Sequence, residues 1–283
     1  MTFTSVAIIG LGLIGGSLGA ALRKAHPGLP VRGYDRDPRA REIAAARGLA
    51  TVLNTPSETL RGANLVILAI PVDELAGVAG EMTTMTPEDA VVTDTGSVKA
   101  QVVPVMEAVF GSRYVGGHPL AGTERSGPAA AHPDLFRGTN YAITPTARTT
   151  PQATGCLCAL VEAVGAQPVF VSPGEHDHLV AYTSHVPYLV SVALAAATAG
   201  IPGAGELVAG GWRDATRVAA GSPGLYASIL AANGQAVLEA LDVFCQELAS
   251  LRQALKLGRG TLAARIEPAQ AFRERLAAKR GWL

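Results

Sequence analysis

The sequence predicts an α/β domain, doubly wound around a mostly parallel sheet, followed by an all-α domain. Two observations carry this expectation. Short apolar runs alternate with helix-compatible segments through roughly the first 170 residues, the pattern of a sheet with helices on both faces. After Ser172-Pro173-Gly174 the strand-like runs stop and long Ala/Leu-rich stretches take over. The expected domains are therefore residues 1–172 and residues 173–283.

Ser5–Ile9 is a short continuous apolar run, as a strand buried on both faces requires. Similar runs follow at Val31–Tyr34, Leu65–Ile70, Ala90–Thr93, Tyr114–Gly116, Tyr141–Thr144 and Pro168–Val171. Ser17–Lys24, Pro38–Arg47 and Pro151–Val164 between them suit helices. In the second domain Glu175–Ala199, Leu225–Leu257 and the tail Pro268–Lys279 read as helical.

Composition narrows the function classes. The 283 residues carry 23 Lys+Arg against 23 Asp+Glu, a formal net charge of zero, so no basic excess exists to neutralise nucleic-acid phosphates. With 48% hydrophobic and 16% charged residues, the chain has apolar surface to spare, and a homodimer interface is the natural place to bury it. No signal peptide is evident, and the apolar stretch Val186–Ala199 is too short by itself to span a bilayer. A cytoplasmic protein with no membrane partner is expected. Cys156, Cys158 and Cys245 cannot all pair, and the Cys-x-Cys pair lacks a second pair of ligands, so neither a disulfide framework nor a metal is expected.

The first strand runs directly into Gly10-Leu11-Gly12-Leu13-Ile14-Gly15. Gly10 allows a tight turn, Gly12 lets the backbone approach a diphosphate, and Gly15 lets the helix pack on the strand. The diphosphate then sits on the free N–H groups at the helix start. Asp35 ends the second strand about twenty residues on, where a carboxylate accepts from ribose hydroxyls and repels a 2′-phosphate. NAD is the expected cofactor. Arg36 beside it could stack on adenine or take a phosphate.

Ligands of such sheets bind beyond the carboxyl ends of the strands. Those ends carry Ile70-Pro71, a wall for the nicotinamide side; Asp94 and Ser97, in Asp94-Thr95-Gly96-Ser97-Val98-Lys99; and His118-Pro119-Leu120-Ala121-Gly122-Thr123-Glu124. A histidine at such an edge, between glycines and a proline, has little use as packing. In the helical half His178, Tyr182 and His185 are expected on one face, with Pro187 bending the helix. Arg213-Asp214-Ala215-Thr216-Arg217 reads as a salt-bridge cluster or as a clamp for a substrate carboxylate.

Taken together, Gly10–Gly15, Asp94–Lys99, His118–Glu124, His176-Asp177, Ser184-His185-Val186-Pro187 and Arg213–Arg217 resemble the prephenate dehydrogenases of tyrosine biosynthesis, in order and over nearly the whole chain. The resemblance implies an NAD-binding domain, a helical dimerisation domain, and oxidative decarboxylation of prephenate to 4-hydroxyphenylpyruvate. It implies that His118 accepts the proton of the ring hydroxyl and that Ser97 bonds that hydroxyl or positions His118 and the nicotinamide. Arg217 would hold a substrate carboxylate, while Thr123, Ser184 and His185 line the pocket. Glu124 would form an ionic gate with Arg217 and Asp214, next to Arg213. Many relatives have a second histidine where this chain has Tyr188, the place of substrate and inhibitor tails, so the replacement bears on substrate preference and on tyrosine as a feedback ligand. A compact form without a chorismate mutase or a C-terminal regulatory domain is expected. Arogenate is the rival substrate. A β-hydroxyacid dehydrogenase would need an interdomain lysine, and none occurs between Lys99 and Lys256. A non-catalytic NAD-binding protein would not need His118, Ser97 and Arg217 together.

Overall fold

A computed structural model describes residues 2–281. The first six strands are β1 (Val6–Ile9), β2 (Val31–Tyr34), β3 (Thr51–Val52), β4 (Leu65–Leu68), β5 (Val91–Asp94) and β6 (Tyr114–Pro119). They lie parallel in the order 3-2-1-4-5-6 and are extended by β7 (Asn140–Thr144) and β8 (Gln167–Phe170). β7 pairs antiparallel with β6, setting His118 opposite Ala142, and β8 runs parallel to β7. The chain thus leaves the sheet heading away from the edge where β5 and β6 end.

Helices α1 (Leu13–Ala25), α2 (Pro38–Ala46), α3 (Pro56–Leu60), α4 (Leu75–Met82), α5 (Val102–Phe110) and α6 (Pro151–Ala163) connect the strands. Successive strand residues face opposite sides, so Val6 and Ile8 join the α1 and α6 residues Leu18, Leu22, Leu157 and Leu160 in one core. Ala7 and Ile9 join Leu75, Met82, Met106 and Phe110 of α4 and α5 in the other. All seven expected strands are present. β3, α3, α4 and α5 were not expected: β3 has two residues, and α5 is rich in valine with Pro104 in its first turn, which masks the helical period.

After β8 the described residues form helices and the turns between them. Ser172 caps α7 (Pro173–Val180), its side chain accepting from Glu175 N–H. A π-helical turn over Ala181–His185 leads into α8 (Val186–Ala199), and the three form one 27-residue helix. That helix has the length and hydropathy of a membrane span, so the argument from the shortness of Val186–Ala199 does not hold. His176 and Asp177, both buried near its start, are committed to contacts inside the protein. The expected bend at Pro187 takes the form of the π turn, since proline offers no N–H to the Thr183 carbonyl.

Next come α9 (Ala204–Leu207), α10 (Gly210–Thr216), α11 (Pro223–Ala232), α12 (Gly234–Leu257) and α13 (Arg259–Arg280). The helix expected over Leu225–Leu257 is broken at Asn233, and the last helix starts at Arg259 with Pro268 inside it. One compact unit ends at Gly234 and a second begins at Gln235. Helices α7 to α11 belong to the unit of the sheet, joined to it by hydrogen bonds such as Ser228 to Asp73, 2.8 Å. In the second unit Glu247 and Arg265 pair between α12 and α13. Leu238, Cys245, Leu248 and Leu255 stand exposed along α12.

Candidate active site

The glycine loop has the shape a dinucleotide needs. Gly10 has φ +93°, and a Cβ there would lie 2.3 Å from the Ala69 carbonyl oxygen, so only glycine fits. A Cβ on Gly15 would lie 1.9 Å from the Gly10 carbonyl oxygen, whereas one on Gly12 would meet nothing within 4 Å. The space over Gly12 is open. Helix α1 begins at Leu13 and Ile14 without a side-chain cap, which leaves its first N–H groups for an anion. These residues fit a bound NAD diphosphate.

Asp35 accepts from Leu11 N–H at 2.8 Å and from Asp37 N–H at 2.9 Å, which fixes its carboxylate beside the loop. Arg36 pairs with Glu74 at 2.8 Å, while the Arg41 guanidinium lies over the Tyr34 ring. Ile70 and Pro71 follow β4, and the Ile70 side chain lies against Gly10. Asp94 differs from expectation. It has no exposed surface and is bound by the Lys99 ammonium, by Tyr114 O–H at 2.5 Å and by Gly96 N–H at 2.7 Å. Its carboxylate is thus engaged by protein groups on and around the loop that carries Ser97.

His118, on β6, is buried. Its Nδ1 lies 2.8 Å from His176 Nε2, and His176 Nδ1 lies 2.7 Å from Asp177 Oδ1. The same carboxylate accepts from Lys99 N–H at 2.7 Å and Ala100 N–H at 2.8 Å. Helix α7 is thereby tied to the loop that carries half-buried Ser97. Burial, reinforced by His176, Lys99 and His185, holds the His118 pKa well below the usual histidine range, so the ring is neutral near pH 7.

His185 is also buried, and burial pushes its pKa down to about 4. Asn233 at the helix break donates to the Asp177 carbonyl at 2.8 Å and faces His185 Nδ1 at 3.2 Å. The His185 Nε2 atom is buried without a protein partner, a donor available to a ligand. His178 and Tyr182 do not share its face. They are exposed and pack on each other, because the π turn between Tyr182 and His185 shifts the register.

The outer residues are looser. Arg217 lies 3.4 Å from Glu124, both substantially exposed, and Asp214 pairs with Arg213 rather than with Arg217. Thr123 accepts from Arg125 N–H, and Ser184 is exposed. Tyr188 is buried and stacks on Tyr226, ring centroids 3.6 Å apart. A cleft of about 650 Å3, bounded by Val72, Asp73, Gln101, Met106 and Ser228, contains neither His118 nor the glycine loop.

Sequence reasoning did not assign roles to His176, Asp177, Lys99, Asn233 or Tyr226. The signal available was the His176-Asp177 pair itself, one turn into the helix capped by Ser172.

Two family sequence models match the chain. The prephenate dehydrogenase nucleotide-binding domain covers residues 18–170, and the prephenate dehydrogenase dimerization domain covers residues 172–266. The chain belongs to the prephenate dehydrogenase family. A cyclohexadienyl dehydrogenase of Zymomonas mobilis is 36% identical over 260 residues, 89% of each chain. A prephenate dehydrogenase of Bacillus subtilis is also 36% identical, over 88% of this chain and 69% of its own. Among solved structures, prephenate dehydrogenase from Aquifex aeolicus in complex with hydroxyphenyl propionate and NAD+ matches with a TM-score of 0.89 at 29% identity, over 96% of this chain and 98% of that one. As a member of this family, the protein is an NAD-dependent oxidoreductase acting on a small molecule.

Proposed function

We propose that this prephenate dehydrogenase oxidises prephenate itself, with His118 as the general base. The observation that carries the reading is a buried, neutral histidine at the carboxyl end of β6, held by a hydrogen-bonded partner on α7. NAD, when held by Gly10–Gly15 and Asp35, supplies the hydride acceptor. His118 takes the proton of the ring hydroxyl as the carbinol carbon loses hydride. The ring carboxylate then leaves as carbon dioxide, its bonding pair aromatises the ring, and the ring oxygen takes the proton back from His118 to give 4-hydroxyphenylpyruvate.

Ser97, on the loop fixed by Asp177, positions the hydroxyl beside His118. The free Nε2–H of His185 donates to the substrate, and Arg217, gated by Glu124, receives a carboxylate. Thr123, Ser184, Arg213 and Asp214 form the outer wall. Residues 1–172 bind the cofactor, and residues 173–283 complete the substrate pocket and form a cytoplasmic homodimer. Tyr188, stacked on Tyr226, lies where tyrosine would act as a feedback ligand.

A second substrate, arogenate, is favoured by two findings: the cyclohexadienyl dehydrogenase relative matches over 89% of both chains, and Synechocystis arogenate dehydrogenase matches with a TM-score of 0.81 at 30% identity over 96% of this chain. NADH formation with prephenate and arogenate in parallel separates the two. His118→Asn is expected to lower kcat about 100- to 10,000-fold, the usual contribution of a general base, while NAD still binds. Near-normal turnover by that variant would remove His118 from the chemistry.

A further inference from the structure

We propose that His176 and Asp177 are positioning residues that set the tautomer of His118, and that the Asp177 carboxylate couples this tautomer to the loop carrying Ser97. The inference rests on reading His118 as the base, and the proton positions follow from donor and acceptor counting. Lys99 N–H and Ala100 N–H can only donate, and each bonds one oxygen of Asp177. Both oxygens are therefore acceptors, and His176 Nδ1, 2.7 Å from Oδ1, must carry a hydrogen. A neutral His176 then has its lone pair on Nε2. His118 Nδ1, 2.8 Å from that atom, must supply the hydrogen between the rings. The lone pair of His118 is left on Nε2, away from the relay, where it can receive a proton. The hydrogen bond at one ring nitrogen decides which form the other takes.

The carboxylate acts on two things at once. It orders the ring that takes the proton, and it holds two successive N–H groups just after Ser97. The remaining polar groups packed around the relay are Lys99, engaged by Asp94, and His185, engaged by Asn233. Neither competes for the His118–His176 bond. An asparagine at 177 would keep the chain, because its amide oxygen in the Oδ1 place would still accept from both Lys99 N–H and His176 Nδ1–H; a leucine removes the acceptor. His176 is then free to carry its hydrogen on Nε2, donate to His118 Nδ1 and leave His118 protonated on Nε2, without a base.

The first test needs no substrate. Nitrogen-15 NMR of the histidine rings in the wild-type protein should show His118 protonated on Nδ1 and bare on Nε2, and the opposite tautomer would overturn the proposal. Asp177→Leu should mix or switch that signature and lower kcat about 100-fold or more, as a wrong tautomer does in other histidine-based sites, with NAD affinity unchanged. His176→Phe keeps the volume and leaves Asp177 on the loop; it should lower kcat similarly while NAD binding holds. Variants that lose only melting temperature, with kcat and the nitrogen signature intact, would reduce both residues to structural supports. A variant that does not fold leaves the decision to the wild-type spectrum. Absence of wild-type turnover on both prephenate and arogenate would defeat the functional reading but not the tautomer.

Discussion

At the scale of single residues, the buried histidines make the protein sensitive to acid in two ways. His118 is held neutral below the usual histidine range, so the acid limb of kcat/KM is expected to fall below pH 6.5, and a limb above it would show a solvated ring. His185 has a folded pKa of about 4 against 6.5 for the free side chain. The unfolded chain therefore binds the extra proton, and stability is intact above about pH 6.5 and lost as pH falls toward 4. The loss from this group is on the order of 3 kcal/mol, readable as the drop in urea midpoint between pH 7 and pH 4.5 relative to His185→Gln. Lys99→Met would strand the buried Asp94 carboxylate and should cost about 3–5 kcal/mol, measured by equilibrium unfolding; a loss under about 1 kcal/mol would mean Tyr114 and Gly96 satisfy Asp94 alone. Asp94 also shows what the sequence hides. A carboxylate at a strand end reads the same whether it faces a cofactor or turns back to a lysine five residues on. His118 and Asp35 stand out in the sequence because ligands of doubly wound sheets bind at the strand ends. Asn233 was not, because its partners lie 48 and 56 positions away.

At the scale of elements, the π turn decides which side chains of the long helix face inward. Periodicity assumes 3.6 residues per turn and so grouped His178 and Tyr182 with His185. One wide turn breaks that grouping, and only Pro187 hinted at it. Pro187→Ala restores a donor to the Thr183 carbonyl and should let the turn tighten. The expected result is a slightly higher melting temperature and a KM for prephenate raised about tenfold, equivalent to about 1.4 kcal/mol of lost binding, as His185 rotates away. An unchanged KM would show that neighbouring contacts, not the proline, hold the turn. The strands were easier to read than the helices: a buried strand announces itself by a continuous apolar run, whereas α4 and α5 are short and apolar on most sides, and such helices resemble strands or loops.

At the scale of the whole molecule, the fold class was legible because alternation of runs and then its cessation spans the entire chain. The compact units were not, since helices α7 to α11 fold with the sheet through contacts between residues far apart in sequence. Four of the exposed apolar positions of α12 lie in pairs seven apart, Leu238 with Cys245 and Leu248 with Leu255, the spacing of a helix seam. Leu248→Asp is expected to convert a dimer to a monomer in sedimentation equilibrium, and an unchanged mass would place the subunit interface elsewhere. The break at Asn233 reaches furthest. Asn233 precedes Gly234, and an Asn-Gly pair ages chemically when the glycine nitrogen attacks the side-chain amide. In the native protein that amide is anchored by the Asp177 carbonyl and faces His185. The reaction must therefore wait for the chain to open. An aspartate formed there could no longer donate to either partner, so each opening leaves a small permanent scar beside the site, and the deamidated fraction of an old preparation is a record of how long its molecules have spent unfolded.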